Sequence, residues 1–489
     1  MVSSVDSPTS ETTARDAGPG RFDGRPRGGL LLLLAFAVGC GDPTAQLVRR
    51  PDVTVGALLI RNVGVLDVEA GVVVPARDVL VRDGRIAAVT NTGETPAAGV
   101  EIIEGGGTLL PGLIDSHGHV WSSPAPPWDL ALPDVDANLR AFLYCGVTTV
   151  LDPGESDPAA ITRRDRVAAG ELLGPRIFTA GKFVTARGGH PVAMAEVVIP
   201  WWLSWYLLPR MAHEVASEAE ARAAATAVVD SGADFMKVIV DAVPADAPRM
   251  APEVIAAAVA TARERGLRSV AHIGTFVDAR DAARAGVAAW LHGVYKQRLS
   301  DTEVAELAAF DIPMAPTMTV FESYAHSLDA NRVATQLEID MVPAAVLASL
   351  NDVPDDEPMV EYFRPYLSML GEQWPSAREN ARRLYEAGVT ILAGSDPQTG
   401  VFSGAGLHRE LAVLVAAGLP PAAVVRAATI NAARFLTKQE DPDFGVVAPG
   451  KRADLLLVRG NPLQDITAIS DIREVILGGV RLVREPIAR

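Results

Sequence analysis

Cysteine is nearly absent from this chain. Two in 489 residues cannot form a disulfide framework. Basic charge is also short: 44 Lys and Arg stand against 60 Asp and Glu, a net charge of −16. A surface that acidic repels nucleic acid and anionic membrane. No apolar run reaches the ~20 residues that a bilayer span needs; the strongest candidate, residues 30–38, reads LLLLLAFAV. Nor is there a repeat period of the kind that marks a solenoid. What is present is an ordinary globular composition, 49% hydrophobic and 21% charged, with 42 Gly and 35 Pro to serve many turns. The length suits two or three domains, or one barrel with additions.

The short apolar run has the flanks of a targeting segment. Arg21, Arg25 and Arg27 precede it and Gly39-Cys40-Gly41-Asp42 follow it. A basic stretch, a short apolar stretch and a small residue before a cut are the parts of a secretory signal. The string AVGC resembles a bacterial lipoprotein box, with Ala37 where Leu is usual. The expectation is a signal peptide over 1–39 and a lipidated Cys40, hence an exported lipoprotein of a bacterial cell envelope that meets the membrane only through its lipid anchor. Cys145, in AFLYCGVTTV, reads as a small buried hydrophobe.

After a linker over 40–54, residues 55–108 read as short strands rich in Val, Ile and Leu, broken by Asp-Gly and Gly-Gly turns. Residues 439–489 repeat the style in KRADLLLVRG and DIREVILGGVRLV. Neither end holds enough strands for a stable sheet alone, so the two together are expected to form one small β-sandwich. Between them, over 109–438, short β-branched runs alternate with Ala-rich helical stretches. The runs are 112–117, 147–152, 176–181, 235–240, 268–273, 288–292, 312–317 and 390–396. Eight strands alternating with helices predict an α/β fold, a (β/α)8 barrel of the TIM type, with its largest insertion near 322–372.

In such a barrel the chemistry sits at the C-terminal strand ends. Those ends carry His117 and His119, Lys237, His272, His292 and Asp396. Residues two apart on a strand face the same way, so His117 and His119 point into the barrel together, a pairing that suits a metal such as zinc. A lone strand His is usually a core residue and a lone Asp usually a helix cap. Lys237 is harder to dismiss, because FMKVIV would bury an ammonium unless it is paired or chemically altered.

At this point LLPGLIDSHGHV resembles the first-strand signature of the amidohydrolase superfamily. LRAFLYCGVTTVLD, ADFMKVIVD, VAHI, LHG, ILAGSD, LHRELAVLVAAGLPPAAVVRAATINAARFL and GVVAPGKRADLLLVRGNPL resemble its later blocks in the same order. The subgroup looks like the imidazolonepropionase-related, prolidase-like hydrolases. The resemblance implies two divalent ions, zinc first among them. His117, His119 and Asp396 would bind one and His272 and His292 the other, with an N6-carboxylated Lys237 bridging both. It further implies a hydroxide between the metals as nucleophile and Asp396 as catalytic base, then acid. Leu291 stands where many relatives have Glu, and DAVPADAPRM replaces a Gly-rich segment after Lys237.

The function expected is hydrolysis of a C–N amide bond in a small molecule, a dipeptide or N-acyl amino acid. Two alternatives remain: a one-metal cyclic-amide hydrolase or deaminase, and a non-catalytic binding lipoprotein on the same barrel. His190 and Tyr295 are candidate substrate contacts, with Arg187 a weaker one. His408 reads as a supporting or capping residue, and His213 and His326 as surface or packing residues. Trp201, Trp202, Trp205 and Tyr206, with Trp121 and Trp128 near them, read as loop packing, against an apolar substrate wall or a membrane contact. The oligomeric state is open, a homo-oligomer included.

Overall fold

A computed structural model of the chain describes residues 44–487, apart from 45, 53–55, 96–98, 127, 129–130, 155–156, 200 and 356. The leader and Cys40 lie outside the described residues. Within them, seven strands and one extended segment form a ring: β1 (Leu113–Asp115), β2 (Val147–Asp152), β3 (Arg176–Thr179), β4 (Phe235–Ile239), β5 (Arg268–His272), β6 (Ala289–Leu291), β7 (Met314–Ala315) and residues 390–396. Pairing is parallel throughout β1–β2–β3 and β4–β5–β6–β7. The Asp234 amide donates to the Thr179 carbonyl across the β3–β4 seam, and Leu392 N donates to Met314 O. Ser116 N→Ala393 O and Asp396 N→His117 O, at 2.8 and 2.7 Å, close the ring. This is the (β/α)8 barrel expected from the sequence.

The wall departs from a regular barrel after β3. The chain breaks at 180–182 and resumes as Phe183–Ala186, which pairs with the upper half of β4 at Val184↔Val238 and Thr185↔Ile239. Ala212–Val215 adds outside it, also in parallel. Between β7 and residue 390 the expected insertion is helical, with Gln336–Met341, Ala344–Ser349 and the 29-residue helix Pro358–Glu386.

Local chemistry sets the helix ends. The Thr275 hydroxyl accepts from Asp278 N and the Asp278 carboxylate accepts in return, a capping box that starts Phe276–Ala285. Gly286 ends that helix at φ 91°, a conformation costly for any residue with a Cβ.

The barrel interior is divided by depth. Its floor is apolar: Ile114, Leu151, Phe235, Val270, Ala289 and Leu392, closed from below by Phe435 and Leu436 of the helix Ile430–Thr437. The alternation of the strands then decides what stands above. Phe235 faces inward, so Lys237 does too; Val270 faces inward, so His272 does too.

Both chain ends share one further sheet. Its order runs Val480–Arg481, Ile472–Leu477, Leu455–Val458, Thr108–Pro111, Ala57–Asp67, Val72–Arg82 and Arg85–Asn91, with Glu101–Ile103 also paired to Ala57–Asp67. Leu58, Ile60, Val79, Ile103, Leu109, Leu455 and Ile476 fill its core.

Candidate metal centre

The six strand-end residues meet above the apolar floor. His117, Lys237, His272, His292 and Asp396 are all buried, and the His119 side chain is 15% exposed. Lys237 Nζ lies 3.3 Å from His117 Nε2. Asp396 Oδ1 lies 3.6 Å from His117 Nε2 and 3.4 Å from His119 Nε2. The His117 ring centroid is 5.2 Å from that of His119 and 4.6 Å from that of His292, which is 4.1 Å from that of His272.

Backbone geometry aims these side chains. His292 follows Leu291, which faces the floor, and regular alternation would turn its ring outward. A φ of 119° breaks the alternation and brings the ring in. Asp396 has φ 52° and Thr317 φ 51°. Non-glycine residues held there carry strain of about 1–3 kcal/mol each, and such strain gathers at functional sites. The Asp115 carboxylate ties the first and last barrel segments together, accepting from His117 N (3.1 Å), Ser395 N (3.0 Å) and the Ser395 hydroxyl.

Burial keeps the imidazoles neutral. It lowers His117, His272 and His292 well below the usual imidazole value and His119 to about 3, with Lys237 adding repulsion in each case. Burial also lowers Lys237 to about 8 and raises Asp396 to about 6. Neutral imidazoles offer lone pairs. His117 Nδ1, His272 Nε2 and Asp396 Oδ1 are buried with no hydrogen-bond partner. Unpaired buried groups of this kind are costly, and a cation beside His117 Nε2 and His119 Nε2 would satisfy Asp396 Oδ1. Among the described residues, His117, His292 and Asp396 have ligand atoms within 4.8 Å of one another. The donor set of nitrogens and a carboxylate oxygen fits a divalent metal such as zinc.

A surrounding layer holds these groups. His292 Nδ1 bonds the Thr317 hydroxyl at 2.6 Å and His119 Nδ1 faces Gly154 O at 3.3 Å, so each ring presents Nε2 to the centre. Gln398 Nε2 donates to Asp396 Oδ2 at 3.0 Å. Asp241 lies behind His272, its Oδ2 3.5 Å from His272 Nε2, and accepts from the Tyr295 hydroxyl and from Lys296 Nζ at 2.6 Å. Sequence reasoning passed over Asp115, Asp241 and Thr317. Asp115 stood inside the DSHGH string. Asp241 and Thr317 each end a strand run, so position was the available signal for them.

The other candidates are placed as follows. The His190 ring lies 4.9 Å from His272, at the edge of the centre. Tyr295 is fully buried, its hydroxyl engaged with Asp241 and 3.4 Å from that of Tyr366. Arg187 is exposed and pairs with Glu220. His408 is buried and bonded to Cys145 O and Ser470 Oγ. His326 is exposed beside Asp329, and His213 is half-buried. Cys145 is buried and free. Among the loop aromatics Trp128 packs against the core, whereas Trp202 is 52% and Trp205 73% exposed, because the helix Trp201–Met211 turns Leu208 inward against Phe183 and Val192 instead.

Known proteins resemble this chain in sequence and fold. Residues 108–482 match the profile of the amidohydrolase family. Imidazolonepropionase of Deinococcus deserti is 27% identical over 414 residues, 82% of this chain and 91% of that protein. A Xaa-Pro dipeptidase crystallised with methionine in its active site superposes with a TM-score of 0.70 at 24% identity, over 87% of this chain and 99% of the other. A putative prolidase from Bifidobacterium longum gives 0.66 at 25% identity, over 89% and 97%.

Proposed function

This chain belongs to the amidohydrolase family, and from that premise we propose that it hydrolyses the C–N amide bond of a dipeptide or an N-acyl amino acid with two divalent metal ions, zinc first among them. The observation that carries this reading is the convergence of four imidazoles, Lys237 and Asp396 in one buried cluster with unpartnered ligand atoms. The substrate class draws on structural neighbours described as a Xaa-Pro dipeptidase and a putative prolidase.

His117, His119 and Asp396 would hold one ion, and His272 and His292 the other. Lys237 Nζ lies 3.3 Å from His117 Nε2, and a bare ammonium there would repel a nearby ion. As the neutral amine it would add to carbon dioxide, gaining an N–C bond and losing a proton, and the resulting carbamate would supply anionic oxygen in place of the cation. When bound, the metals supply Lewis acidity, which polarises a carbonyl and lowers the pKa of water. Asp396 takes the proton of the attacking water and returns it to the departing nitrogen, so that amide and water give acid and amine. Buried and joined to Gln398, its carboxylate is held in one orientation for both transfers. His190 lies beside His272, where a substrate contact is within reach.

A second reading is a one-metal hydrolase of cyclic amides, or a deaminase, with Lys237 unmodified. It is favoured by the likeness to imidazolonepropionase and by the tight set formed by His117, His292 and Asp396. Metal analysis separates the two. Near two ions per chain, with turnover in a dipeptide and N-acyl amino acid library, supports the first; one ion and turnover only of cyclic amides supports the second. We also propose export with lipidation at Cys40. Cys40→Ser is expected to move the protein from the membrane fraction to the soluble one, and an unchanged distribution would remove the anchor.

A further inference from the structure

The helix Met318–Ala325 begins in an unusual way. Its N-cap is Thr317, a residue whose hydroxyl ordinarily accepts from a first-turn amide of its own helix. Here Thr317 makes no side-chain cap bond. Its hydroxyl is 2.6 Å from His292 Nδ1 instead, and its φ of 51° is one that a β-branched residue seldom adopts. The missing acceptor comes from elsewhere. Glu410, on the helix Ala405–Ala416, is fully buried, and its Oε2 accepts from Thr319 N at 2.8 Å. Its other oxygen, Oε1, is buried with no partner.

The same helix touches His292 a second time. The Phe321 ring sits edge-on to His292 at 5.5 Å and stacks on Tyr295 at 4.0 Å. Two of the contacts that fix the His292 ring therefore belong to one short helix and its N-cap. Glu410 holds that helix by its first turn.

We propose that Glu410 is a positioning residue for His292: it caps the helix Met318–Ala325 in place of Thr317 and so frees the Thr317 hydroxyl to hold His292 in the tautomer that presents Nε2 to the centre. A histidine that ligates through one nitrogen commonly donates the other N–H to a fixed acceptor, which sets both tautomer and ring angle. A long acidic side chain is buried here because the acceptor must come from a neighbouring helix. A Thr317 hydroxyl turned to cap its own helix would surrender the bond to His292.

The proposal rests on the metal-centre reading for its consequence, and its first readout does not. In the metal-stripped protein, side-chain 15N NMR of the histidines reports which His292 nitrogen carries the proton. Glu410→Gln keeps an acceptor at the same reach and is expected to keep the wild-type His292 signature. Glu410→Ala removes the acceptor, and is expected to give a mixed tautomer and to weaken binding of zinc at the His272–His292 site by about 10- to 100-fold. Near-ultraviolet circular dichroism checks that the variant is folded. Glu410→Asp is the second variant, because it keeps the carboxyl group and withdraws the acceptor by one methylene; it is expected to behave as Ala does. A folded Ala or Asp variant with the wild-type His292 tautomer overturns the proposal. So does an Asp variant that behaves as wild type while Gln does not, since the carboxyl group rather than its reach would then be at work. Wild-type protein that binds no zinc would defeat the metal-centre reading and leave the tautomer test standing.

Discussion

Replacing Gly394 with alanine should disable the centre without replacing a ligand. A Cβ built on Gly394 would lie 2.7 Å from His117 Cβ and 3.1 Å from His117 N. Carbon atoms pack at about 3.5–4.0 Å, so the two segments must separate by roughly 0.8 Å or more. They cannot do so freely. Ser116 N→Ala393 O and Asp396 N→His117 O bracket the contact, and the Asp115 carboxylate clasps Ser395 and His117 from behind. The strain therefore falls on the distance between His117 and Asp396, which is 3.6 Å between Nε2 and Oδ1. Overpacking of this kind costs about 1–3 kcal/mol in stability, and misplacing reacting groups by ~1 Å costs on the order of 100-fold in rate. The assay is kcat/KM on the best amide substrate, with metal content and thermal melting alongside. Gly56→Ala serves as the control, since nothing lies within 4 Å of its Cβ and its φ is not positive. A Gly394→Ala protein with unchanged kcat/KM and full metal content would show that the first and last barrel segments do not set the geometry of the centre.

Three other outcomes follow from the same geometry. Lys237→Ala should lower metal content and abolish turnover, with partial recovery in small carboxylic acids; retention of either property, measured by elemental analysis and rate, would remove the bridging role. Asp396→Asn should reduce turnover by about 10²- to 10⁴-fold while some metal stays bound, and near-normal turnover would assign the proton transfers to another group. The metal-stripped protein should lose stability as pH falls below 6.5. His117, His119, His190, His213, His272, His292 and His408 all have lowered values when folded, so the unfolded chain binds more protons between pH 6.5 and about 3–4. Asp115, Asp396 and Glu410 are raised by burial and act in the opposite direction, but they are fewer. A melting temperature that climbs on acidification from pH 6.5 to 4 would contradict this balance.

The barrel and its ligand set were legible because both are written in short local patterns. Each strand run is β-branched, and the residue that matters stands at its C-terminal end, as with Lys237 in FMKVIV. The residues that hold the ligands left no such mark. Asp241, Thr317 and Glu410 act across 31, 25 and 91 positions of sequence, on His272, His292 and the Thr319 amide, and an isolated Asp, Thr or Glu carries no signal of that. The break in the wall after β3 was hidden for a different reason: Phe183–Ala186 is as β-branched and apolar as a regular strand, and what sets it apart is its pairing with β4. The tryptophans of the helix Trp201–Met211 read as packing on composition alone, whereas the helix phase turns Trp202 and Trp205 to solvent.

In the sheet shared by the chain ends, Leu455–Val458 lies between Ile472–Leu477 and Thr108–Pro111. A strand made late in synthesis is thus the interior neighbour of one made early, and more than 340 residues must be in hand before the pair can form. Until then Leu109 and Leu110, both fully buried in the finished molecule, have no permanent cover. Such long-range closure is slow and leaves the growing polypeptide open to chaperones. A nascent chain stopped short of residue 455 would carry all six residues of the centre yet still present a raw edge at Thr108–Pro111.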